Sequence, residues 1–192
     1  MKSSRSLALV SLFAALMAVF GLIPKIDLPL GVPITLQTLG VMLAGCLLGP
    51  RRGLQAMLLF LAAVALGLPL LSGGRGGFGV FMAPSAGYLL AWPVGAWVTG
   101  MLMAQLPGSA APSPRSTAIS AFLASAVGGL LTVHVFGVIG LVKIANLSWT
   151  QAFLGTLVFV PGDLIKCAVC AMVVHTVARG LPDWQFGGRA LK

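Results

Sequence analysis

Six apolar stretches, cut from one another by prolines, glycines or lysine–arginine steps, dominate this 192-residue chain. They run over about 6–23, 34–49, 53–71, 81–106, 116–142 and 161–179. A helix needs about 20 such residues to cross the hydrocarbon core of a bilayer, where no water is present to satisfy an open backbone. Charged residues make up 8% of the chain, against about 25% in soluble domains, and 58% is hydrophobic. The expectation is one all-α membrane domain spanning 1–192, with six transmembrane helices.

The first stretch imitates a signal peptide, but its 18 apolar residues from Ser6 to Ile23 exceed the usual core of about 7–15. With five more runs behind it, a retained helix is the expectation. Lysines and arginines then set the orientation, because they favour the cytoplasmic side. With the N-terminus inside, Lys2, Arg5, Arg51, Arg52, Arg115, Arg179, Arg189 and Lys192 lie on the inner side. Lys25, Arg75 and Lys143 lie outside. Both termini are therefore expected in the cytoplasm of a multi-pass protein of the cell membrane. The net charge of +9 reads as this bias and not as a nucleic-acid surface, since no basic patch interleaves with aromatics.

Against this background one segment stands out: Val160-Pro161-Gly162-Asp163-Leu164-Ile165-Lys166. Residues i and i+3 share a helix face, so Asp163 and Lys166 reach one point in space. Pro161 suits a first helical turn, where its missing N–H costs nothing and a carboxylate is favoured by the helix dipole. A charge at membrane depth costs about 2.5–3.5 kcal/mol, which makes such a pair a functional candidate. A mutually neutralising pair that only docks the helix is the plainer reading.

Other polar groups fall at the same end. Thr35, Gln37 and Thr38 stand at the mouth of the second stretch. Ser72-Gly73-Gly74-Arg75-Gly76-Gly77 is a glycine-rich loop whose backbone can approach a ligand closely, and whose Arg75 can grip a carboxylate with two parallel bonds. Tyr88, the only tyrosine, follows in the fourth stretch. Pro84 and Pro93 are expected to bend the fourth stretch, and Trp92 and Trp97 to anchor it at the interface. Phe153 to Val160 is apolar but too short to span. On the first helix, Ala8, Ser11, Ala15 and Ala18, with Ala14 paired to Ala18, form a small-residue stripe that permits close helix approach. It serves packing within this chain or docking to another membrane subunit.

Several classes find little support. The chain has three acids, Asp27, Asp163 and Asp183, so paired-carboxylate catalysis lacks raw material. There is no G-x-x-x-x-G-K-[ST] motif, hence no recognisable nucleotide site. Cys167 and Cys170 have C-x-x-C spacing but no second pair, and read as small packing residues beside Cys46; no metal or cofactor is expected. His134 reads first as a packing histidine. Two alternatives keep it in play: an intramembrane hydrolase pairing His134 with a serine, or a proton-coupled small-molecule carrier in which Asp163 and His134 relay charge.

Six short segments form an ordered set: Pro33-Ile34-Thr35-Leu36-Gln37-Thr38-Leu39, Ala44-Gly45-Cys46-Leu47-Leu48-Gly49-Pro50-Arg51-Arg52-Gly53, Gly67-Leu68-Pro69, Gly73-Gly74-Arg75-Gly76-Gly77, Gly87-Tyr88-Leu89 and Pro161-Gly162-Asp163-Leu164-Ile165-Lys166. Together they resemble the BioY family, the biotin-capturing S-components of energy-coupling-factor transporters. The resemblance implies a six-helix bundle that binds biotin near the outer face, beneath the loop after the third helix, as a transported ligand. It implies that Asp163 and Lys166 address the ureido ring. The glycine loop around Arg75, Gly74 included, with Tyr88 nearby, then fits the valeryl carboxylate and the ring, and Gln37 and Thr35 are further substrate-binding candidates. Ala83-Pro84-Ser85-Ala86-Gly87 stands where the family usually carries a Gly-Pro-Thr-Gly-Gly type run. The implied partners are a membrane coupling subunit, met by the alanine stripe of the first helix, and paired ATPase subunits.

Overall fold

The computed structural model describes residues 2–28, 31–106 and 113–188. Arg189 and Lys192 lie outside the described residues, as does the side chain of Lys2. Among those described, all regular structure is helical, with two isolated antiparallel bridges, Ile26 to Ile34 and Leu71 to Arg75.

In chain order the helices are α1 (Lys2–Gly21), α2 (Gln37–Leu48), α3 (Pro50–Ala65), α4 (Ala86–Gln105), α5 (Pro114–Ser125), α6 (Val133–Ile144), α7 (Trp149–Thr156) and α8 (Val160–Gly180). Four continuous helical segments are long and apolar enough to cross a membrane: Ser4–Gly21, Ala86–Gln105, Pro114–Ile144 and Trp149–Gly180. α2 is apolar but shorter.

The structure moves several expected boundaries, each for a local reason. The second helix starts at Gln37 rather than Ile34, because Ile34 pairs with Ile26 in extended backbone. α3 stops at Ala65, and Gly67 follows with φ +103°, a conformation that favours glycine after a helix end. Pro84 falls in a break between a 3₁₀ turn at Phe78–Met82 and α4, whereas Pro93 lies inside α4. α5 and α6 are one segment joined by a π-helical stretch, Ala126–Thr132. Phe153 to Val160 is not an isolated short piece: α7 runs into α8 through one 3₁₀ turn at Leu157–Phe159. Pro161 sits in the first turn of α8, where it needs no hydrogen bond, so it does not break the run.

α2 is the buried axis; ten of its twelve residues are inside. α4 packs on α2, α3 and α6, while α8 packs on α5 and α2. Close approach depends on small residues. A Cβ on Gly87 would lie 2.4 Å from the Phe136 carbonyl oxygen, and one on Gly140 would lie 2.6 Å from the Gly87 Cα. The α4–α6 contact is therefore backbone on backbone.

The two ends of the bundle differ. At one, the Arg52 Nε donates to Ser6 Oγ at 3.0 Å and the Trp184 indole donates to the Leu47 carbonyl at 3.0 Å. At the other, Lys25 pairs with Asp27 beside the loop that carries Arg75. The site lies at this second end.

Candidate functional site

The first turn of α8 sets the polar centre. Asp163 is 5% exposed, and its Oδ1 accepts from the Lys166 ammonium at 2.7 Å. Thr38 on α2 closes a triangle: its hydroxyl donates to Asp163 Oδ1 at 3.2 Å and accepts from Lys166 at 2.8 Å. The arrangement leaves a defined remainder. Lys166 has three N–H donors, of which two are engaged. Asp163 Oδ2 receives no hydrogen bond among the described residues; its neighbour is His134 Nε2, at 3.4 Å. A donor and an acceptor thus stand side by side, from one ion pair, facing a cavity.

That cavity has a volume of ≈ 50 Å³ and is lined at this pole by Thr38, His134, Asp163 and Lys166. Its walls are largely apolar, among them Val32, Leu71, Leu89, Val133 and Phe159. Arg75 and Ser85 also line it. Arg75 is held by its own loop: Leu71 and Arg75 exchange both backbone bonds, at 3.0 and 3.2 Å. The intervening Gly73 and Gly74, at φ +80° and +69°, make that tight reversal. The guanidinium donates to the Ser72 carbonyl at 3.4 Å and to Ser85 Oγ at 3.3 Å. Partial burial lowers its pKa from the ordinary arginine value, and the charge of Asp27 opposes that shift.

The remaining sequence candidates divide by what their side chains already do. Tyr88 lines the cavity with its hydroxyl bonded to Thr156; its ring meets His134 edge-on at 6.1 Å. Thr35 lines the cavity and is half-buried. Gln37 also lines it, yet its amide is fully engaged elsewhere. The Nε2 donates to the Met17 and Leu70 carbonyls, both at 3.1 Å, and the Oε1 accepts from Ser72 N–H and hydroxyl. Gln37 is a clamp joining α1, α2 and the glycine loop. Gly74 is exposed and does not line the cavity; it shapes the turn that presents Arg75. On α1, Val10, Phe13 and Met17 face the core. Ala8 and Ala15 are exposed, and Ala14 and Ala18 half-buried, so the stripe lies largely off the bundle.

Three site residues were not assigned from sequence. Thr38 was visible only as a hydroxyl at the mouth of α2. Trp92, expected at the interface, is 4% exposed and lines the cavity one turn beyond Tyr88. Its indole N–H has no acceptor among the described residues. The apolar neighbours that bury it come from other helices, which spacing along one helix does not reveal. Trp97 remains 39% exposed. His134, expected to pack, reaches Asp163.

Comparison with known proteins agrees with this architecture. Residues 1–183 match the BioY family. A protein of Rhizobium etli named biotin transporter BioY is 46% identical over 181 residues, covering 94% of this chain and 96% of its own. A probable biotin transporter BioY of Bacillus subtilis is 42% identical and covers 90% and 89%. In three dimensions the chain matches a crystal structure of the S-component for biotin from an ECF-type ABC transporter. The TM-score is 0.82, at 31% identity, with 93% of each chain covered. A helical bundle in which Asp163, Lys166 and Arg75 line one cavity, similar over nearly its whole length to these proteins, this chain is a member of the BioY family.

Proposed function

We propose that this chain is the biotin-capturing component of a vitamin uptake transporter, with both termini cytoplasmic, six membrane-crossing helices and the site near the outer face. Family membership makes it a transporter component and not an enzyme. The observation that carries the ligand assignment is the remainder at the polar centre. A ureido group offers an N–H donor next to a carbonyl acceptor. Asp163 Oδ2 accepts the first, and the third N–H of Lys166 donates to the second. Ion-assisted bonds of this kind are about twice as strong as neutral ones. The apolar walls suit the thioether ring and alkyl chain. Arg75 faces the carboxylate, and the Trp92 indole N–H donates to a ligand heteroatom.

A cavity of ≈ 50 Å³ is small beside the ~300–1,000 Å³ of ligand pockets, so binding draws back the segments over it, Val32 to Thr35 and the glycine loop. The inner-side lysines and arginines support the orientation. The small outward face of α1 suits a membrane coupling subunit, with ATPase subunits beneath; the chain itself carries no Walker motif.

The test is growth and labelled-biotin uptake at low biotin in bacteria lacking biotin synthesis and their own transporter. The chain, supplied with a coupling subunit and ATPases, should restore both. No restoration, with the protein present in the membrane, refutes the assignment. A proton-coupled carrier is the second reading, favoured by the 3.4 Å approach of His134 to Asp163. It predicts uptake that collapses with the proton gradient at constant ATP. The hydrolase reading has no such support: among the described residues the His134 ring bonds the Leu130 carbonyl, and no serine hydroxyl bonds it.

A further inference from the structure

His134 is a buried titratable group at the site that the biotin reading above leaves without a role. Its geometry is unusual. The Nδ1 lies 2.8 Å from the Leu130 carbonyl oxygen, and a carbonyl only accepts, so Nδ1 carries a proton. Leu130 belongs to the π-helical stretch that leads into α6, a local departure that often marks functional positions. With Nδ1 so committed, Nε2 of the neutral ring is a bare acceptor. It is buried, has no hydrogen-bond partner among the described residues, and lines the cavity. Its nearest polar neighbour is Asp163 Oδ2, another acceptor, at 3.4 Å. Two lone pairs facing each other at this distance repel, unless a single donor sits between them.

We infer that His134 Nε2 and Asp163 Oδ2 together bind one ligand N–H as a three-centre hydrogen bond, making His134 a specificity residue of the biotin site. This rests on the biotin reading above and adds to it. Bifurcated bonds of this kind are ordinary in proteins. The pair discriminates by chemistry: a ring N–H satisfies both acceptors, whereas an ether oxygen or N-methyl group in its place leaves two buried acceptors unpaired.

The experiment measures the affinity of the purified full chain in detergent for biotin and for biotin methylated on the contacted ureido nitrogen. His134→Gln places an amide oxygen near the Nε2 position and should bind biotin within about threefold of wild type. His134→Ala should bind biotin about 5- to 100-fold more weakly, the range for losing a buried polar partner. N-methylation should cost wild type and His134→Gln more than His134→Ala. His134→Ala binding biotin like wild type, or an equal cost of N-methylation in all three proteins, overturns the proposal. If His134→Ala does not fold, His134→Leu, which fills the space but offers no acceptor, gives the same two readouts. No saturable biotin binding by wild type refutes the biotin reading itself, a different outcome from any of these.

Discussion

Replacing Asp163 by asparagine changes one buried atom and leaves the shape nearly intact. In the native site the carboxylate holds Lys166 at 2.7 Å and Thr38 at 3.2 Å, while the lysine side chain is 11% exposed. After Asp163→Asn the ammonium keeps Thr38 but has lost its counter-charge in a largely buried pocket. The amide also turns either a second donor toward Lys166 or a donor toward the ligand N–H, so one contact is lost whichever way it points. Truncating one member of a buried, hydrogen-bonded charge pair costs about 2–5 kcal/mol. At 1.4 kcal/mol per decade this weakens biotin binding about 30- to 4,000-fold. Calorimetric or labelled-ligand titration of purified protein measures it, and a ligand-free melting scan checks that the bundle survives. Lys166→Met in the Asp163→Asn background should recover part of the melting temperature, because it removes the stranded charge, but not the affinity. Biotin affinity within threefold of wild type in Asp163→Asn would refute the reasoning.

Arg75→Ala should weaken biotin at least tenfold yet leave binding of biotin amide nearly unchanged, since only the free acid carries the charge that Arg75 meets; competition titrations with both ligands check this. Because Arg75 keeps its proton despite the lowered pKa, that contribution should not vary between about pH 6 and pH 9. Gln37→Leu should lower the melting temperature through about 1–3 kcal/mol per stranded carbonyl or N–H partner, with affinity falling only through the displaced loop. Gly137→Ala puts a Cβ 2.2 Å from the Tyr88 ring, so it should cost about 1–3 kcal/mol of stability by overpacking and also weaken biotin, as read by melting scans and titration.

What was legible in the sequence follows from the range of the signals. Periodicity and charge steps locate apolar helices, and the Val160–Lys166 run carries its own geometry: a proline that starts a turn, then an acid and a base on one face. The ends of the elements were less legible where tertiary pairing decides, as at Ile34, held extended by Ile26. Phe153 to Val160 reads as too short because a proline that begins a helix looks the same in sequence as one that ends its predecessor. The site's other members come from distant chain positions. Nothing local marks Thr38 as the partner of residues more than a hundred positions away, or sets His134 apart from a packing histidine. Gln37 shows the converse: a polar residue at the right depth whose bonding capacity is consumed by two carbonyls and the two donors of Ser72.

The central claim is that an intramembrane ion pair is held ready for one neutral ring. Its most direct measurement is the ligand-bound structure of the purified chain with biotin. The account predicts the ureido carbonyl within hydrogen-bond distance of Lys166 Nζ and a ureido N–H against Asp163 Oδ2. Biotin seated elsewhere, or turned so that its carboxylate meets Lys166, would contradict it.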